Sequence, residues 1–157
     1  MAGSKPAAPP RLFVDSGVVI DAVVAEWSVP RCIFVLARCG VFKIVLAEAV
    51  RLEVENDFLR RLGNDEVLGM KLVNEYSRLL RLVRPERVPL PPAEQVAESR
   101  HLIRHAADVP ILRSAMTAAP DWVVTTNTRH FTPEVATRCG IKIITPRDLV
   151  RRTSFLP

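Results

Sequence analysis

Three carboxylates and one carboxamide stand at the ends or on the flank of the apolar segments of this 157-residue chain. Asp15 closes the run RLFVD, and Asn127 lies just beyond the run DWVVT. Asp108 directly precedes Val109-Pro110, and Glu53 follows Val50 by three residues, on the shoulder of an apolar stripe. Were the four to converge, the carboxylates would repel one another and lose hydration. A divalent cation relieves both costs, and hard oxygen donors with no Cys or His among them suit Mg²⁺ or Mn²⁺ rather than Zn²⁺. Such an ion binds phosphates and activates water for in-line attack. Each residue also has a purely structural role open to it. Asp15 and Asp108 are favoured helix N-cap types, Glu53 suits a solvated helix face, and Asn127 suits a turn.

Convergence depends on the elements that carry these residues. RLFVD (11–15) reads as a short strand, GVVIDAVVAEW as a short helix, and VPRCIFVLARCG as a second helix stopped by Gly40. FKIVL (42–46), short and β-branched, predicts a second strand. Val50, Val54, Phe58 and Leu62 recur every four residues, which predicts an amphipathic helix broken at Gly63. Leu68, Leu72, Leu79 and Val83 predict another over 65–83, with Arg78, Arg81, Arg84 and Arg87 clustered towards and just past its end. A helix C-terminal preference for cations is enough to explain that cluster. Val88 centres a short extended segment before the turn PLPP (89–92). AEQVAESRHLIRHAA (93–107) is expected to be helical, with His101 and His105 on its exposed surface.

DWVVT (121–125) is the next predicted strand. Thr132-Pro133 starts a short helix that reaches Arg138 and ends at Gly140. IKII (141–144) is a last strand, and TPRDLVRR opens with a Thr-x-x-Asp capping box. Strands alternating with helices predict an α/β fold with a mostly parallel sheet, whose ligands bind beyond the carboxyl ends of the strands. Asp15 and Asn127 sit at that end. Asp121, at the start of its strand, sits at the other.

The 48% hydrophobic and 25% charged composition is that of a globular protein. No apolar run approaches the ~18 residues of a membrane span. The N-terminus MAGSKPAAPP lacks the apolar stretch of a signal peptide, so the expectation is a cytoplasmic protein with a flexible tail over 1–10, one domain over 11–152 and a short tail over 153–157. Cys32, Cys39 and Cys139 are odd in number and show no CxxC, which predicts free thiols. The net charge of +5 and a pI near 9.6 favour polyanions as partners without specifying one.

The segments LFVDSGVVIDAVV, LAEAVRLEVE, HAADVPILRSAMTAAPDWVVTTNTRHF and IKIITPRDLV together resemble the PIN-domain nucleases, most closely the bacterial VapC-type branch. The likeness runs from about Leu12 to Val150. The first segment resembles the family's opening strand with its acid, which falls on Asp15. The second presents the acidic helix residue, on Glu53. The third carries the third acid at Asp108, a small packing residue at Ala115 and the fourth site position at Asn127. The last is similar to the final strand and the start of the C-terminal helix.

The resemblance implies a Rossmann-like three-layer α/β/α sandwich, with Mg²⁺ or Mn²⁺ at Asp15, Glu53, Asp108 and Asn127. It also implies hydrolysis of phosphodiester bonds in single-stranded or looped RNA. For a toxin of a toxin–antitoxin pair it further implies a homodimer and an antitoxin segment lying over the acidic crevice. Thr125 to His130 would form the site rim, with Thr125 and Asn127 near the metal and Arg129 and His130 near the RNA backbone. Arg113 and Arg51 are the other arginines nearest in sequence to the acids. Two departures stand out. The family commonly reads Asp-Thr-Asn where this chain has Asp15-Ser16-Gly17, and many members carry Asp where this chain has Asn127. The missing fourth carboxylate predicts weaker occupancy of a second metal. It leaves open a non-catalytic PIN-like RNA-binding or assembly subunit.

Overall fold

Leu12, Phe13 and Val14 are fully buried, the condition of a strand covered on both faces. They belong to β1 (Arg11–Val14), the middle strand of a five-stranded sheet in the computed structural model, which describes residues 8–153. The expected tails lie largely outside the described residues. The other strands are β2 (Lys43–Ala47), β3 (Glu86–Val88), β4 (Trp122–Val124) and β5 (Ile143–Ile144). They run in the order β3-β2-β1-β4-β5, and every pairing is parallel. The strand order reverses between β1 and β4, so a crevice opens there beyond their carboxyl ends.

Helices α1 (Ser16–Val24) and α2 (Val29–Arg38) join β1 to β2, and α3 (Glu48–Asn64) and α4 (Glu66–Val83) join β2 to β3. Helices α5 (Ala93–Glu98) and α6 (Val109–Ala118) lead from β3 to β4. Helix α7 (Pro133–Cys139) leads from β4 to β5, and α8 (Pro146–Thr153) follows. Right-handed crossovers send the first four helices to one face of the sheet and the β3–β4 and β4–β5 connections to the other. The packing agrees: α1 touches α2, α3 and α4, α4 also touches α2 and α3, and α5 packs on α6. The result is an α/β/α sandwich. No helix among the described residues is long and apolar enough to cross a membrane.

Two helix boundaries differ from those the sequence predicts. Gly63 does not break α3, which continues to Asn64. Asp65 then serves both helices: its N–H closes α3 on the Arg61 carbonyl, and its side chain accepts from the Leu68 N–H to start α4. A glycine costs a helix only about 1 kcal/mol relative to alanine, and the long contact between α3 and α4 outweighs it. The second difference lies in residues 93–107. Helix α5 stops at Glu98, where buried Ser99 turns its hydroxyl back to the Gln95 carbonyl at 2.8 Å. The chain then turns, buries Ile103 and re-forms only a 3-10 turn at Ala106–Asp108. His105 therefore leaves the helix surface on which its spacing had placed it.

Candidate active site

Asp15 follows β1 directly and is 4% exposed. It does cap α1, accepting from the Ser16 N–H at 2.8 Å with Oδ1. Its second oxygen, Oδ2, accepts from the Thr125 hydroxyl at 2.6 Å. Thr125 follows β4, has no solvent exposure, and accepts in turn from the Asn127 N–H at 2.9 Å. One buried hydroxyl thus ties together the ends of the two strands that flank the switch point.

Asp108 occupies the N-cap position of α6, yet its side chain makes no capping bond. It is turned to His130 instead, whose Nδ1 lies 2.6 Å from Asp108 Oδ2 and 2.9 Å from Asn127 Nδ2. A carboxylate can only accept, so the Nδ1 hydrogen points to Asp108, and the Asn127 amide nitrogen, itself a donor, only touches that ring nitrogen. Glu53, half-buried on α3, has no hydrogen bond or ion pair among the described residues.

Asp15, Glu53, Asp108 and Asn127 line one crevice of about 540 Å³, together with His105, His130, Asn56, Asp57 and Arg60. Asn56, Asp57 and Arg60 were missed from the sequence, although they lie three, four and seven residues after Glu53 and so share its helix face. Asp57 is paired with Arg60 and, at 2.7 Å, with Arg61. The other predicted arginines stand elsewhere. Arg51 is bound to Glu48 and Glu55 on its own helix and lines a separate hollow with Arg87. Arg113 donates to Gln95, at the contact of α5 with α6. Arg129 is exposed and outside the crevice lining. Gly17 has a local reason: a Cβ there would lie 2.8 Å from Thr126 Oγ1, so the hydroxyl occupies the space a side chain would need.

Burial holds the Asp15 carboxyl above the usual aspartate range, and the nearby Glu53 and Asp108 push it further; the Thr125 and Ser16 hydrogen bonds act in the opposite sense. This excess of negative charge, together with the unpaired Glu53, fits a hard divalent cation in its chemistry. Its arrangement is not yet that of a closed metal cage. Among the described residues, no group of three or more His, Cys, Asp or Glu side chains is set to hold an ion, and Asp108 is engaged by His130.

No family model matches the chain, and no curated protein matches it. Solved structures do. Over 99% of this chain and 98% of the other, it is similar to PAE2754 from Pyrobaculum aerophilum, with a TM-score of 0.65 and 11% identity. It is similar to VapBC2 from Rickettsia felis, solved bound to a DNA fragment from their promoter, with a TM-score of 0.60, 14% identity and coverage of 86% and 98%. FitAcB from Neisseria gonorrhoeae gives a TM-score of 0.58, 16% identity and coverage of 87% and 98%. The chain has the PIN fold. Identities this low carry the fold and no residue roles.

Proposed function

We propose that the protein is a metal-dependent ribonuclease acting on single-stranded or looped RNA, and the toxin of a toxin–antitoxin pair. One observation supports this reading above the others. Asp15, Glu53, Asp108 and Asn127, separated by up to 112 positions in the chain, line a single crevice at the sheet's switch point, with no basic side chain paired to Asp15 or Glu53 among the described residues. Asp15, Glu53 and Asp108 would hold Mg²⁺ or Mn²⁺ directly or through water, with Asn127 as a neutral ligand or orienter. A cation bound there supplies polarisation of the scissile phosphate and a water of lowered pKa. Thr125 keeps the Asp15 carboxylate facing the crevice and holds the Asn127 backbone, and His130 orients Asp108.

The partner surface is the neighbouring groove of about 960 Å³ beside α4, where Val24, Val67, Leu68 and Met70 are exposed. Arg61 lines this groove and Arg60 lines the crevice, with Asp57 bonded to both. An antitoxin segment seated in the groove therefore has a short path over the acids. A homodimer and a cytoplasmic location complete the reading.

The test is cleavage of a mixed-sequence single-stranded RNA with Mg²⁺, with Mn²⁺ and with EDTA, alongside melting curves under the same conditions. The expected result is cation-dependent cleavage and a raised melting temperature, since an ion bound only to the folded state stabilises it. Asp15→Asn removes a buried charge that its neighbours repel, while Asn remains a good N-cap. This variant is expected to melt no lower than wild type without metal, and to lose both the cleavage and the shift. Cleavage that survives in Asp15→Asn would sink the assignment. The observation that favours a second reading is the engagement of Asp108 by His130 with no preassembled ion cage. A non-catalytic RNA-binding or assembly subunit predicts RNA binding without cleavage and without a cation-induced shift.

A further inference from the structure

His105 is exposed, yet its ring is not loose. It lies parallel to the ring of His130, with centroids 3.5 Å apart and planes 21° from each other. His130 is itself held by its Nδ1–H bond to Asp108, with Asn127 against the same ring edge, so the lower ring of the stack is fixed. Among the described residues, His105 has no side-chain hydrogen bond or ion pair that would explain its position. One face of the imidazole is covered by a held aromatic plane, and the ring lines the mouth of the acidic crevice. Arg104, the preceding residue, is exposed beside it.

We infer that His105 is a stacking surface for one unpaired nucleobase of the RNA, adjacent to the phosphate presented to the acids. This rests on the ribonuclease reading and deepens it by assigning the part of the crevice that receives a base. Proteins that bind single strands place bases on exposed aromatic faces, and every base has a face to offer. A paired base within a duplex has both faces occupied by its neighbours, so the ring selects for single strands and loops. The pinned His130 beneath it keeps the surface at a constant height above the Asp108–Asn127 pair. That sets the register between the stacked base and the phosphate. His105 touches the substrate without taking part in bond making.

The experiment has two arms. In the first, a single-stranded oligonucleotide with one 2-aminopurine is titrated with Asp15→Asn protein carrying native His105, His105→Ala or His105→Phe. Stacking quenches the fluorophore, so quenching is expected with native His105 and with Phe. With Ala it should be lost, together with about tenfold in affinity, a contribution towards the lower end of the usual stacking range. In the second arm, cleavage by the otherwise native enzyme is expected to show a KM about tenfold higher for His105→Ala, with kcat within twofold and an altered pattern of cut sites. Phe should restore both. Equal quenching by all three proteins overturns the inference, as does a kcat loss at unchanged KM, which would mean that His105 only props His130. If nothing is cleaved but quenching follows the ring at 105, the catalytic reading fails while the stacking surface stands. If neither RNA binding nor cleavage occurs and an aromatic peptide of a partner protein protects His105 instead, the nucleobase assignment falls.

Discussion

Thr125 is the residue on which the crevice geometry turns. Its buried hydroxyl donates to Asp15 and accepts from the Asn127 backbone, so two candidate ligands share one positioning group. Thr125→Val keeps the shape of the side chain and deletes both bonds. A buried carboxylate that loses a donor costs about 1–3 kcal/mol. Urea unfolding is expected to show a loss of that size, and cation-dependent cleavage should fall in parallel. Thr125→Ser, which keeps the hydroxyl, should behave close to wild type. A Val variant as stable and as active as the native chain would show that Asp15 does not depend on this bond.

At the scale of elements, the hairpin of α3 and α4 presents Glu53 and the rest of the acidic helix face. Its closeness is set by Gly69: a Cβ there would stand 2.4 Å from the Leu62 Cα, a backbone atom that cannot move alone. Gly69→Ala must push the helices apart, and overpacking of this kind typically costs about 1–3 kcal/mol. Nothing lies within 4 Å of a Cβ built on Gly63, so Gly63→Ala should gain up to about 1 kcal/mol of helix stability. Urea midpoints of the two variants, measured together, should move in opposite directions. Equal shifts would mean that the two helices are not in tight contact at Leu62. Because Glu53 rides on this hairpin, Gly69→Ala should also weaken the cation-induced rise in melting temperature.

For the whole molecule, charge and exposed apolar surface point outward to partners. Trp27, in the turn between α1 and α2, is 98% exposed, next to the groove rim formed by Val24 and Glu26. A tryptophan that buries nothing in the fold adds nothing to its stability. Trp27→Ser should therefore leave the melting temperature unchanged, within about 0.5 kcal/mol of stability. If the groove receives a second copy or an antitoxin segment, sedimentation or co-purification with that partner should weaken in the same variant. An unchanged complex would place the interface elsewhere. If RNA is the substrate, as proposed, its affinity should fall steeply between low and physiological salt through release of counterions from the phosphates that basic side chains neutralise.

Much of this was legible in one dimension. Apolar runs of strand length and four-residue periodicities are local properties, so all five strands and the long helices lie within a few residues of their predicted places. Asp15 and Asn127 could be placed at the carboxyl ends of strands because that follows from chain direction in a parallel sheet. The departures came where a distant contact outvoted a local preference. Gly63 looked like a stop until the packing of α4 on α3 carried the helix through it. Gly69 gave no local sign, because what demands it is a backbone on another helix. His105 had the spacing of an exposed helical residue until Ser99 ended α5 and the chain turned into the crevice. The sequence by itself determined which groups were chemically able to form a site and which end of the sheet they would occupy. Only the tertiary structure decided which of them meet, that Asp108 faces His130 rather than its own helix, and that Arg51 and Arg113 are spent on other partners. Side-chain direction across elements depends on packing, which no spacing along the chain encodes.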